Sequence, residues 1–161
     1  MRPLALLLLS AAACGNPTGL GPASPLDVVS GWSGVPTMSP GQDCLICHAP
    51  GLRAAYRPWT VAGTVYQSPT DPADAGIAGA LVLLTDAAGK SLTLVSNAAG
   101  NFYTEEPLQF PLSHLEVDRD GVRMAMNLDP ALVPSAVGSC NRCHSEPAVF
   151  NAPGRLFVGS P

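Results

Sequence analysis

The chain has 161 residues, of which 47% are hydrophobic and only 12% are charged, and its formal net charge is −4 at pH 7. This length suits one compact domain with extensions, and 16 glycines and 17 prolines favour a loop-rich β architecture over a helical bundle. The acidic balance provides no basic patch, which argues against a nucleic-acid partner.

The N-terminus has the pattern of an export signal. Arg2 precedes an apolar run at 4–9, and the small residues 11–13 stand directly before Cys14. A charged start, a short apolar region and small residues are typical of a secretory signal peptide. The run is too short to cross a bilayer, which needs about 20 apolar residues. We therefore expect export from the cytoplasm.

The position of Cys14 indicates a membrane anchor in addition to export. Its position after small residues resembles the lipobox of bacterial lipoproteins, although Ala11 stands where that family prefers leucine. The resemblance implies lipidation of Cys14, and an ordinary secretory signal is the alternative. Gly15 replaces the aspartate that such lipoproteins use for inner-membrane retention, so we expect an outer-membrane anchor in the cell envelope.

Two stretches, 44–48 and 140–144, repeat the pattern C-x-x-C-H. This spacing is typical of c-type haem attachment. Two thiols add to the two vinyl groups of one porphyrin, and the histidine then binds the iron from below. The sequence thus predicts two covalent haems. The predicted thioether residues are Cys44, Cys47, Cys140 and Cys143, and the predicted proximal iron ligands are His48 and His144.

Two other chemistries use the same cysteines. The two C-x-x-C pairs also suit a structural zinc site with four thiolates, and an oxidising compartment also permits two disulfides. A redox-active C-x-x-C disulfide needs a thioredoxin-like βαβ setting, which the sequence lacks. The histidine after both pairs favours haem over these alternatives.

Each iron needs a second axial ligand or leaves that position open. His114 is the remaining histidine, and Met124 and Met126 share one face of a predicted strand just before the second motif. Met38 is the thioether nearest the first motif. An exposed strand position for His114 and core packing for the two methionines are the non-functional interpretations.

Between the motifs, short apolar runs alternate with turn residues. Predicted strands cover 61–66, 80–85, 91–96, 102–104, 114–118 and 122–126. The turns between them include 86–90, 97–101 and the Arg-Asp-Gly of 119–121. Strands at this spacing predict a small antiparallel sandwich, and residues 154–159 are a candidate final edge strand.

Part of this region resembles a known family. Gly63-Thr64-Val65, the run from Gly79 to Asp86 with Gly89, and Asn97 to Phe102 resemble the carboxypeptidase regulatory-like, or transthyretin-like, domain. The resemblance covers about residues 60–105, and Asn97 or Ser96 stands near the usual threonine. It implies a prealbumin-like sandwich of seven strands that acts as a spacer or binding module without catalysis.

Together these patterns predict a mainly β protein, a small prealbumin-like sandwich flanked by two loop-rich haem segments. If the ends of the sandwich lie close together, the two haems are neighbours. The predicted divisions are a signal peptide at 1–13, a tether at 14–40, the first haem segment at 41–58, the sandwich at 59–127 and the second haem segment at 128–161.

The predicted function is single-electron transfer in the bacterial cell envelope, with a protein redox partner that the sequence does not identify. The sequence shows no acid–base pair or nucleophile motif, so we expect no enzymatic activity. Haem peroxidase or sensor activity would need an open iron position. The alternative is a non-redox surface lipoprotein, a binding module whose C-x-x-C pairs hold zinc or form disulfides.

Overall fold

The computed structural model describes residues 39–52, 54–127 and 138–159. The predicted signal peptide, the lipidation residue Cys14, Met38 and nearly all of the tether lie outside these residues. Within them, no helix has the length and apolar character needed to cross a membrane.

Six strands in the described residues form two antiparallel sheets, which confirms the predicted mainly β sandwich. One sheet pairs β1 with β4, and the other has the order β3-β2-β5-β6. The strands are β1 (Val61–Thr64), β2 (Leu81–Thr85), β3 (Ser91–Val95), β4 (Asn101–Thr104), β5 (His114–Arg119) and β6 (Val122–Ala125). Each corresponds to a predicted strand, with ends shifted by one or two residues.

Local turn chemistry explains why these strands pair as hairpins. Between β5 and β6, Asp120 and Gly121 have φ angles of 54° and 84°, the left-handed conformation that two-residue hairpin turns require. Strand β2 is half-buried rather than fully buried, since Leu81 is exposed and Leu83 only partly covered. Its apolar run therefore obeys the period-2 alternation of a one-sided sheet.

The core lies between the two sheets and includes the end of the chain. Its buried residues are Val61, Val65, Ala80, Val82, Leu84, Phe102, Val117, Leu156 and Val158. The predicted edge strand at 154–159 contributes one parallel bridge, from Phe157 to Tyr66. The described residues thus contain six strands and two isolated bridges, where the family resemblance implies seven strands.

Strand β1 carries both motif segments. The first contains one helical turn, α1 (Leu45–His48), and the second a 3-10 turn at Cys140–Arg142. The amide of Ala62 donates to the carbonyl of Gly138 at 2.9 Å, and Ala62 forms a parallel bridge with Ser139. The second motif therefore begins along the edge of β1 that β4 leaves open.

Candidate functional site

Both motifs form one helical turn with the same hydrogen bonds. In the first, the amides of Cys47 and His48 donate to the carbonyl of Cys44 at 3.2 and 3.1 Å. The equivalent distances in the motif at 140–144 are 3.2 and 2.9 Å. Residues three and four apart on a helical turn share a face. Each motif therefore directs its two cysteines and its histidine to one side.

Each motif histidine is oriented by a backbone carbonyl. The Nδ1 atom of His48 lies 2.9 Å from the carbonyl oxygen of Arg57, and that of His144 lies 3.0 Å from the carbonyl oxygen of Gly154. A carbonyl accepts only, so Nδ1 carries the proton in both rings. This tautomer leaves the Nε2 lone pair available, as in metal-ligating histidines whose other nitrogen is held by a carbonyl.

Burial favours the neutral form of both imidazoles. His48 and His144 are 5% and 7% exposed, and burial is the main cause that lowers the pKa of each. The Nε2 atom of His144 is buried and has no hydrogen-bond partner. A buried nitrogen acceptor without a partner is unusual, and a metal ion is one group that satisfies it.

The first histidine has an additional aromatic support. Its ring stacks on Trp59 with centroids 3.5 Å apart and planes 6° from parallel, and Trp59 stacks on Tyr103 at 4.2 Å. The amide of Trp59 also donates to the carbonyl of His48 at 2.9 Å. The imidazole is therefore fixed by a hydrogen bond and by a parallel aromatic face.

The motif cysteines differ in state. Cys44, Cys140 and Cys143 are free thiols and half-buried. Burial is the largest cause that raises the pKa of Cys44 and of Cys140 to about 12, and nearby negative charge adds to it. Cys47 is buried and disulfide-bonded.

The sandwich brings the two motifs into direct contact. The residue before each first cysteine takes part, since Ser139 Oγ donates to Asp43 Oδ1 at 2.5 Å. Beside this bond, the side-chain amide of Asn141 donates to the carbonyl of Gln42 at 2.9 Å. The motif segments, which the sequence places about a hundred residues apart, are therefore neighbours.

Thr64 of β1 hydrogen-bonds to both motif segments. Its hydroxyl accepts from the amide of Gly41 and from Asn141 Nδ2, both at 2.9 Å, and donates to Asn101 Oδ1 at 2.7 Å. The amide of Thr64 donates to Asn141 Oδ1 at 3.0 Å. One strand residue thus holds both motif segments.

The predicted distal ligands lie on the other sheet. His114 is exposed at the start of β5, opposite Thr85 of β2. Met124 in β6 packs against the core, and Met126 is half-buried just after that strand. Both motif segments contact the sheet of β1 and β4, whereas these three residues lie on or directly beside the other sheet.

The zinc alternative has no preformed site in this arrangement. Among the residues that the structure describes, no group of three or more His, Cys, Asp or Glu side chains is arranged to hold a metal ion. Burial is the largest cause that raises the pKa of Cys140, and its neighbours Cys44 and Cys143 add to it.

Exposed apolar side chains flank both motifs. Of the eight large exposed hydrophobic residues in the described part of the chain, five lie in the two motif segments. They are Ile46, Leu52, Tyr56, Val149 and Phe150. By contrast, Tyr66 and Phe102 are fully buried in the sandwich.

The sequence did not indicate the polar residues that join the motifs. Asn141 occupies a variable position of its motif, and Thr64 belongs to a strand predicted only for its apolar pattern. Thr64 and Asn141 bond to each other across 77 positions of the sequence. No local pattern predicts such a bond. The sequence could at most have indicated that adjacent motifs are joined by buried side chains.

Comparisons of this chain with models of protein families, with curated proteins and with solved structures found no match.

Proposed function

We propose that this protein is an exported dihaem c-type cytochrome that carries single electrons in the bacterial cell envelope. The observation that supports this most is the equivalence of the two C-x-x-C-H turns. In each, both cysteines and the histidine share a face, and a carbonyl on Nδ1 leaves Nε2 unprotonated. Zinc or disulfide chemistry requires neither the histidines nor their tautomer.

The residues fit the cofactor chemically. Cys44 with Cys47, and Cys140 with Cys143, would form the thioethers, while His48 and His144 would bind the irons through Nε2. The partnerless Nε2 of His144 and the exposed apolar side chains beside both motifs are consistent with a bound metal and an apolar ring. When bound, haem supplies a one-electron Fe(III)/Fe(II) couple.

The chain's own residues would set the properties of that couple. The carbonyls of Arg57 and Gly154 hold the imidazoles in position and increase their basicity as ligands. Burial of Nε2 of His144 would exclude water from that atom, and burial lowers the pKa of both imidazoles. The predicted distal ligands His114, Met124 and Met126 lie on or beside the other sheet, so the second axial position would be open or filled by another group. An open position would favour a sensor or peroxidase instead of a carrier.

Export and anchoring belong to the same proposal. A lipid on Cys14, followed by the Gly- and Pro-rich tether, would hold the sandwich at a membrane, with the outer membrane favoured. In this role the sandwich is a scaffold, as the resemblance to carboxypeptidase regulatory-like domains implies. Electrons would pass to and from a separate redox protein.

A second candidate function is a non-redox binding module whose C-x-x-C cysteines carry no haem. The disulfide bond of Cys47 favours this module over haem at that residue, because a thioether requires the free thiol. Cys44, Cys140 and Cys143 are free thiols, so neither C-x-x-C pair is itself closed as a disulfide. In the first proposal, a reduced dithiol protein would release the Cys47 thiol by thiol–disulfide exchange before haem attachment.

The deciding experiment is expression of the full chain in a bacterial host that matures c-type cytochromes. We expect intact mass and the pyridine haemochrome spectrum to show two haems that survive acid–acetone extraction. The pairs Cys44→Ser/Cys47→Ser and Cys140→Ser/Cys143→Ser should each lose one haem. The control Cys14→Ser should keep both haems and lose the lipid. A colourless protein with oxidised cysteines would support the binding module instead.

A further inference from the structure

The two motif turns meet at a junction of four polar side chains. Two of them, Asp43 and Ser139, directly precede the first cysteine of each motif and are joined at 2.5 Å. The other two, Thr64 and Asn141, are 0% and 2% exposed and lie beneath them. Because burial of a polar group without partners is costly, the number of bonds at this junction matters.

The buried pair is fully hydrogen-bonded. A threonine hydroxyl has one donor and two acceptor sites, and Thr64 uses all three. Asn141 uses both N–H groups, toward Gln42 and Thr64, and its oxygen accepts from the Thr64 amide. A satisfied network in a low-dielectric interior favours one arrangement and rigidifies its members.

We propose that this junction fixes the two haems as one electronically coupled pair, with Asn141 and Ser139 as positioning residues. The proposal rests on the dihaem function above. Cys44 and Cys140, the first thioether residues, each stand one residue from the same Asp43–Ser139 bond. Movement of one attachment turn relative to the other therefore breaks buried hydrogen bonds.

A fixed pair has two physical consequences. Oxidation of one iron adds a positive charge beside the other, which disfavours the second oxidation and separates the two reduction potentials. Two porphyrins held at a constant angle and separation also couple their Soret transitions, which gives a two-signed circular dichroism band. Haems on independently moving segments would average this signal away.

The test compares four full-length proteins, each matured with haem: wild type, Asn141→Leu, Ser139→Ala and the control Ser145→Ala. Ser145 directly follows the second motif, but its hydroxyl donates to Pro147 on the exposed side. For each protein, haem content per chain, the Soret circular dichroism and a spectroelectrochemical titration are measured. Far-UV circular dichroism verifies that the sandwich is folded.

We expect wild type and Ser145→Ala to show a two-signed Soret band and two separated potentials. Asn141→Leu and Ser139→Ala should keep two haems, with the Soret signal at least halved and the potentials closer together. Ser139→Ala removes one hydroxyl only and remains informative if Asn141→Leu does not fold.

Two haems with a single-signed Soret band in the wild type would overturn the coupled pair and leave the cytochrome function intact. An unchanged Soret signal and potential separation in both junction variants would refute the positioning role. Absence of haem in the wild type would overturn the function and the coupling together.

Discussion

The glycine at the centre of β1 provides a sharp test of how the second motif packs. A β-carbon built on Gly63 would lie 2.7 Å from Cζ of Phe102 and 2.8 Å from Cβ of Cys140. Phe102 is 1% exposed and belongs to the core, so its ring has little room to move. Gly63→Ala therefore forces a shift of the ring, of the second motif, or of both.

The expected cost follows from overpacking. Alanine in place of glycine in a strand normally stabilises by about 0.5–1 kcal/mol, whereas an added methyl group in a tight core costs about 1–3 kcal/mol. Because the contacts at Gly63 are shorter than real Cβ contacts allow, we expect the cost to prevail. Urea unfolding followed by far-UV circular dichroism should show a midpoint lower by on the order of 1 M.

A double-mutant cycle identifies the cause. In a Phe102→Leu background the ring that blocks the new methyl group is gone, so the additional cost of Gly63→Ala should fall. If the protein carries the two proposed haems, Gly63→Ala alone should lose haem at Cys140 and Cys143 more than at the first motif, as peptide mass spectrometry would show. If Gly63→Ala were as stable as the wild type, the close packing of Cys140 on β1 would be wrong.

Two further predictions concern the first histidine and acid stability. Trp59→Leu removes two aromatic stacks, each worth about 0.5–1.5 kcal/mol. We expect a lower urea midpoint and a spectral change confined to the proposed first haem, and Trp59→Phe should retain part of both stacks. An unchanged spectrum of the first haem would refute the stacking role. Asp86 accepts from the amides of Ala88, Lys90 and Gln109 at 2.8–2.9 Å, and the bond from Gln109 is the main cause that lowers its pKa. The stabilising effect of the ionised Asp86 is present above the unfolded-state pKa and is lost as pH falls through the lower folded-state pKa. Asp86→Asn should therefore be less stable than the wild type at pH 7 and should lose less stability between pH 7 and pH 3. Equal loss of stability for the two proteins in urea titrations would contradict this.

The strands were predictable because their signals are local. The Asp-Gly turn between β5 and β6 and the alternation of β3 are written in a few consecutive residues each. The exposure of Leu81 was not predictable from an apolar run alone, because the run does not reveal which face of the sheet is covered. That information comes from the partner sheet.

The candidate site likewise has a part that the sequence predicts and a part that it does not predict. The spacing within each C-x-x-C-H motif predicts the shared face of its cysteines and histidine, because one helical turn decides it. The carbonyls on His48 and His144 come from residues 9 and 10 positions later, and the Asp43–Ser139 bond spans 96 positions. Such contacts depend on how loops close on the folded sandwich, which periodicity does not encode.

The fold also explains how two motifs that are far apart in the sequence come to lie side by side. Cys140 packs against the hydrophobic core, the ring of His48 stacks on Trp59, and Gly41 and Asn141 hydrogen-bond to Thr64. The second motif covers the open edge of β1 through the Ala62–Ser139 bridge, in place of a further strand that would protect this edge. In the proposed dihaem cytochrome, the two attachment turns would therefore be adjacent before haem binds. The strand, and not the cofactors, would then determine the separation of the two haems.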